Sequence, residues 1–232
     1  MYEKLKESCF NANMQLPQLN LVVYTFGNVS EVDREKGVFA IKPSGIPYQD
    51  LKAEDMVIVD FDNNIIEGKM RPSSDTKTHA FLYKHWKNIG GICHTHSTYA
   101  VSWAQANLDI PIFGTTHADH LTTDVPCASP MEDILIEGDY EHNTGQQIID
   151  CFSEKKLDPR EVEMVLVGSH GPFTWGRDAS KAVYNSRVLE EVAKMAYLTL
   201  QINPNALKLK EALIRKHFER KHGANAYYGQ GC

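Results

Sequence analysis

The sequence has 232 residues, 42% of them hydrophobic and 23% charged, with a formal net charge of −6 when histidine is neutral. That balance excludes the basic domain of a nucleic-acid binder. No run approaches the ~18 apolar residues of a membrane span, and the charged opening MYEKLKESCFNANMQ holds no signal-peptide core. Five scattered cysteines without a CxxC pair exclude a disulfide framework and a cysteine-based zinc site. The expectation is a soluble, globular, cytoplasmic chain of one domain.

Taken in order, the pattern predicts a helix over 2–13, with Leu5, Cys9 and Met14 at helical spacing. Residues 21–26 are β-branched and aromatic and predict a strand that ends at Gly27-Asn28. A second strand over 37–42 stops at Pro43-Ser44-Gly45. Strands over 56–61 and 65–67 flank Asp62-Asn63-Asn64 as a hairpin. Ser73-Ser74-Asp75 supplies capping residues for a helix over 76–86, which Gly90-Gly91 breaks. A strand over 92–96 and a helix over 99–106 follow, then a helix over 144–152 and a buried strand over 164–167. Long helices over 179–200 and 206–222 precede the tail 223–232, which has no periodicity. Hairpins mixed with helical connections predict an α/β fold with a mixed or antiparallel sheet, not a doubly wound parallel one.

The ten histidines carry the first chemical signal. Residues two apart on a strand share a face, so His94 and His96 converge on one point. His170 follows another buried strand into a glycine turn. Three imidazoles with an open fourth position are a catalytic zinc arrangement. The plainer alternative is a set of surface or hydrogen-bonded histidines. Asp75 is a weaker ligand candidate, or simply a helix cap.

Three turns suit an anion: Gly27-Asn28, Lys42 with Ser44-Gly45, and Ser73-Ser74 at a helix start. Each alone also reads as an ordinary turn. Asp119, flanked by His117 and His120, is an acid–base candidate or part of a polar surface loop. His217 and Arg220 share a helix face at the edge of a stripe containing Leu209 and Leu213. From Lys208 to His222 there are six Lys or Arg and two Glu, either a solvated face or a local positive field. Tyr227 and Tyr228 sit in a glycine-rich tail.

Seven blocks in order resemble the epimerase branch of the class II aldolase/epimerase superfamily. They are GNVS at 27–30, IKPSG at 41–45, PSSDT at 72–76, GGICHTHS at 90–97, GTTHAD at 114–119, SHGPFTWG at 169–176 and KHGANAYYGQ at 221–230. The resemblance spans nearly the whole chain. It implies a three-layer αβα fold around a central mixed, mainly antiparallel sheet, in a single domain over 1–232. It implies one zinc ion per subunit, held by His94, His96, His170 and, more weakly, Asp75. Gly27, Asn28, Ser44, Gly45, Ser73 and Ser74 match the substrate- and phosphate-binding turns, with Lys42 nearby. Asp119 and Tyr228 match the catalytic proton-transfer pair, and His217 and Arg220 match groups that assist around the substrate.

The implied partners are a phosphorylated pentulose and three further copies of the chain. The active sites of such a homotetramer lie between subunits, with the tail docked on a neighbour. Neither nucleic acid nor membrane is implied. The implied reaction interconverts L-ribulose 5-phosphate and D-xylulose 5-phosphate, a step used in both arabinose and ascorbate breakdown. Zinc as a Lewis acid would assist retro-aldol cleavage and re-addition at C3–C4. The rival is an aldolase that releases its fragments. Aldolases of the superfamily tend to carry Glu where Asp75 stands. His120 departs from the aromatic usual after the catalytic Asp, and Cys232 extends past the usual end.

Overall fold

The computed structural model describes residues 1–223, 226 and 227. In chain order the elements are α1 (Glu3–Gln18), β1 (Asn28–Asp33), β2 (Val38–Ile41), β3 (Val57–Asp60), β4 (Ile65–Glu67), α2 (Thr76–His85), β5 (Gly91–His94), α3 (Thr98–Gln105), α4 (Thr115–Ala118), β6 (Cys127–Ala128), α5 (Asp133–Ile136), α6 (Tyr140–Glu154), β7 (Met164–Val167), β8 (Gly171–Gly176), α7 (Ala179–Ile202) and α8 (Glu211–His222). Among the described residues the strands form one eight-stranded sheet, ordered β4-β3-β2-β1-β5-β8-β7-β6. Only β6 and β7 pair in parallel; the other neighbours are antiparallel. The mixed, mainly antiparallel α/β architecture expected from the sequence is present.

The period of two along the strands builds the layers. On β2, Val38 and Ala40 join Cys9, Ala12 and Leu16 of α1 and Ala182 and Val183 of α7. Phe39 and Ile41, pointing the other way, join Leu82 and Tyr83 of α2 and Ile148 and Phe152 of α6. Phe39 and Tyr83 meet with ring centroids 5.3 Å apart. Each such fully buried apolar side chain stabilises the fold by about 1.5–3 kcal/mol. Tyr83 keeps its hydroxyl satisfied 2.8 Å from the Ser30 hydroxyl. α7 comes so close to β5 that a Cβ on Gly91 would lie 2.3 Å from the Ala179 amide, so this position requires glycine.

Most predicted elements stand within a few residues of their expected limits, and five expectations are corrected. Residues 21–26 form no strand. Asn20 and Tyr24 take positive φ, which breaks the extended run, and Val23, Tyr24 and Phe26 are exposed. The strand begins only at Asn28. The strand predicted over 92–96 ends at His94, and the Gly-Pro pair read as a turn after His170 opens β8 instead. The last helix begins at Glu211, because 206–210 lack helical hydrogen bonding and Leu207 is exposed. On that helix Ile214, not Leu213, packs inward, against Ile112 and Ala118.

The cysteine reading agrees with the fold: Cys9, Cys93, Cys127 and Cys151 are buried free thiols. No helix among the described residues is long and apolar enough to cross a membrane.

Candidate active site

β5 ends at the sheet centre, and its last residue, His94, faces the α2 side. Register sets Asn28 of β1 opposite His94 on one edge and Phe173 of β8 opposite it on the other. The His94 ring stacks on Phe173 with centroids 4.2 Å apart. Its Nδ1 lies 2.9 Å from the Pro172 carbonyl oxygen. A carbonyl only accepts, so Nδ1 carries the proton and Nε2 keeps its lone pair. His96, two residues past the strand end, brings its Nε2 to 3.1 Å from His94 Nε2.

His170 arrives from the tight β7–β8 connection, where Ser169 adopts φ +60°. Ligand atoms of His94, His96 and His170 all lie within 4.8 Å of one another. For metal–imidazole distances of ~2.0–2.1 Å a tetrahedral edge is ~3.3 Å, close to the His94–His96 separation. Burial, with His94 alongside, lowers His170 to about 3 and also lowers His96. These imidazoles are therefore neutral at pH 7, the form that ligates a cation.

Asp75 occupies the N-cap position of α2 but makes no side-chain capping bond. Its Oδ2 instead accepts from Asn28 Nδ2 at 2.6 Å. Burial pushes its carboxyl up, yet His94, His79 and the Asn28 donor outweigh that and hold it below the ordinary carboxylate range. The side chain therefore does not cap the helix; it lines the same cavity as the histidines but stands outside the three-histidine cluster. Three clustered imidazoles, with a carboxylate lining the same cavity, fit a divalent metal. The buried Asn28 Oδ1, which has no partner among the described residues, leaves one acceptor for a ligand donor.

The anion turns line the same cavity. It measures about 430 Å³ and is bounded by Gly27, Asn28, Lys42, Ser44, Gly45, Ser73, Ser74, Asp75, His94, His96 and His170. Gly27 has φ +73°, and a Cβ there would lie 2.9 Å from the His94 carbonyl oxygen, so only glycine lets the turn pass β5. The other two turns are tied together: Ser44 N–H donates to Arg71 O, and Ser73 N–H donates to Lys42 O. That uses two of the amides. Those of Gly45 and Ser74 have no partner among the described residues.

Lys42 is 2% exposed. Its ammonium donates to the Thr25 and Pro43 carbonyls at 3.3 and 3.4 Å and lies 4.9 Å from the Tyr48 ring centroid. No carboxylate pairs with it among the described residues, and burial lowers it to about 8. A buried cation facing a cavity without a counter-ion is a place for an anion.

Sulfate keeps its charge across the relevant pH range and is a clean probe. Its affinity, measured by calorimetry, is expected to hold steady below pH of about 8 and to fall by up to about tenfold per unit above it. Lys42→Met should bind about 10–100-fold more weakly, without that break. A wild-type profile with no break near pH 8 contradicts the assignment.

Asp119, His217 and Arg220 come together, but away from the cavity lining. Asp119 ends the short α4 and is 9% exposed. Its Oδ1 accepts from His217 Nδ1 at 2.9 Å and from Arg220 Nε and Nη2 at 3.1 and 2.9 Å. Its Oδ2 accepts from Arg220 Nη2 at 2.8 Å, with Lys221 Nζ at 3.3 Å. Burial raises the Asp119 carboxyl, but Arg220, His217 and Lys221 together hold it well below the usual range. The groups expected to assist a substrate are here bound to a carboxylate of their own chain. Of the tail, Tyr227 N–H donates to the Arg220 carbonyl. Tyr228, Cys232 and the expected docking of the tail lie outside the described residues.

Sequence reasoning missed Tyr140 and Glu141, which complete the cavity wall from the first turn of α6. The predicted helix began at 144, and no motif marks these two residues. The spacing of Tyr140, Thr144 and Ile148 was the available signal.

Residues 7–197 match the family described as the Class II Aldolase and Adducin N-terminal domain. The L-ribulose-5-phosphate 4-epimerase UlaF of Salmonella paratyphi A is 50% identical over 228 residues, 98% of this chain and 99% of the relative. The UlaF protein of Salmonella typhi gives the same values. Among solved structures, an L-fuculose 1-phosphate aldolase superposes with a TM-score of 0.78 at 25% identity, over 94% of this chain and 95% of the other. YgbL from Klebsiella pneumoniae superposes with a TM-score of 0.73 at 24% identity, over 93% and 99%, a likeness of fold.

Proposed function

The chain belongs to the class II aldolase family and, within it, with the L-ribulose-5-phosphate 4-epimerases, and from that premise we propose a zinc-dependent interconversion of L-ribulose 5-phosphate and D-xylulose 5-phosphate. One observation carries this reading. A cavity of about 430 Å³ joins a three-histidine cluster and the Asp75 carboxylate to a buried lysine without a carboxylate partner among the described residues, between two turns with available amides. It has one end for a ketose and one end for a phosphate.

The chemistry limits the route. The carbonyl is at C2, so the C4 hydrogen is not acidic and inversion at C4 needs bond cleavage. The C4 hydroxyl gives its proton to a base, the C3–C4 bond breaks, and its electron pair stays on C3 as an enediolate. The other fragment, glycolaldehyde phosphate, is retained by Lys42 and by the turns at Gly27, Ser44 and Ser74. It rotates, C3 re-attacks its opposite face, and the new C4 oxygen takes a proton from an acid on that side. His94, His96 and His170, with Asp75 as a weaker ligand, would hold the zinc, which when bound would supply Lewis acidity toward the ketose. Asp119, ionised at neutral pH, is the proposed base. Tyr228 is the proposed partner on the other face.

Asp119, His217 and Arg220 do not line the cavity of their own chain. The proposed enzyme is accordingly a homotetramer in which a neighbouring copy brings the acid–base groups to each cavity. The aldolase reading has the fold neighbour in its favour, and Asp75, where aldolases carry Glu, against it. Incubation with L-ribulose 5-phosphate separates the two. Epimer without fragments is the expected product, whereas accumulated dihydroxyacetone and glycolaldehyde phosphate would establish an aldolase.

A further inference from the structure

His170 is held less directly than His94 among the clustered histidines. His94 is fixed by the Pro172 carbonyl and by stacking on Phe173. His170 comes from a short connection with a strained Ser169 at φ +60°. Among the described residues its one side-chain hydrogen bond is to Tyr140: the hydroxyl oxygen lies 3.3 Å from His170 Nδ1.

Tyr140 itself is firmly held. Asp139, the residue before it, takes Lys77 Nζ on both carboxylate oxygens, at 2.9 and 2.8 Å. Thr78 Oγ1 donates to the Glu141 carbonyl at 2.6 Å, and Thr144 Oγ1 donates to the Tyr140 carbonyl at 2.9 Å. Lys77 and Thr78 belong to α2, the helix that starts at Asp75. One helix thus sets the carboxylate directly and braces the tyrosine that touches His170.

An imidazole that ligates through one nitrogen must carry its proton on the other, and that N–H needs an acceptor. We propose that Tyr140 is a positioning residue: its hydroxyl oxygen accepts the Nδ1–H of His170, fixing the ring and the tautomer that turns the Nε2 lone pair to the metal. Tyr140 stands outside the zinc, phosphate and acid–base sets. The inference rests on the metal reading above, so its test includes a readout that needs no metal.

Long-range ¹H–¹⁵N NMR of the metal-free wild type, with His170 assigned by comparison with His170→Gln, is expected to show the Nδ1–H tautomer. In Tyr140→Phe the His170 tautomers should mix. Zinc affinity, measured by competition with a chelator, should fall about 10–100-fold while one ion per chain still binds. An Nε2–H tautomer in the wild type overturns the proposal, as does a variant with unchanged tautomer and unchanged zinc affinity. Should Tyr140→Phe fail to fold, the wild-type spectrum decides. Should the wild type bind no zinc, the metal reading falls, and the tautomer alone decides the role of Tyr140.

Discussion

Removal of the metal with a strong chelator is expected to reduce epimerisation by at least about 10³-fold, or ~4 kcal/mol in the barrier. Added zinc should restore it. The cleavage leaves a negative charge on the C3 fragment, and among the described residues of one chain Lys42 is the one Lys or Arg lining the cavity. Lys42 sits with the phosphate turns, where that charge is already matched. Burial lowers His96 and His170, which are therefore neutral when metal-free and stabilise no anion themselves.

His94→Ala should give a loss of similar size that zinc does not reverse. It removes both a ligand and the stack on Phe173. Folding should survive chelation, because the two large apolar clusters on the faces of the sheet need no ion. Circular dichroism unchanged by the chelator, with activity lost, is the expected pair of readings. Full activity in thoroughly chelated protein would refute the metal role.

Asp119→Asn is expected to lower turnover by about 10²–10⁴-fold while leaving zinc affinity within twofold to threefold. The two effects separate because Asp119 is not among the residues proposed to hold the metal, and within its own chain it lies outside the cavity lining. The substitution also leaves Arg220, His217 and Lys221 facing an uncharged amide, at a cost on the order of 1–3 kcal/mol in stability. The sign of the pH dependence follows from the depressed carboxyl. The folded state holds Asp119 ionised at pH values where the unfolded chain, near 3.9, is protonating. Its stabilisation is therefore complete above pH of about 4 and lost as pH falls further. The difference in Tm between wild type and variant should be greatest near neutrality and shrink in acid. An equal difference at all pH values would point to packing instead of charge.

How much of this was legible depended on how far apart the partners lie in sequence. The His94–His96 pair could be read because the two are only two residues apart, and the rings meet although β5 ends at His94. The turns could be read because glycine, proline and serine punctuate them. Asp75 could not be assigned from spacing: its partner Asn28 is 47 residues away, on β1. His217 and Arg220 were correctly placed on one face, but the carboxylate they bind lies 98 and 101 residues earlier. The false strand at 21–26 had strand composition, and the positive φ at Tyr24 overrode it. β8 was hidden by its opening Gly-Pro. Pro172, unable to donate within the sheet, is the residue whose carbonyl fixes His94. Tyr140 carried no motif, and its contact with His170 spans 30 residues.

The central claim is inversion at C4 by breaking and remaking the C3–C4 bond. Its most direct test is turnover of L-ribulose 5-phosphate by the zinc-loaded protein in D₂O, followed by NMR of the product. The expected result is D-xylulose 5-phosphate with ordinary hydrogen at C4, because that C–H bond never opens. Deuterium at C4 would mean deprotonation at carbon and would contradict the claim, as would a failure to form the epimer.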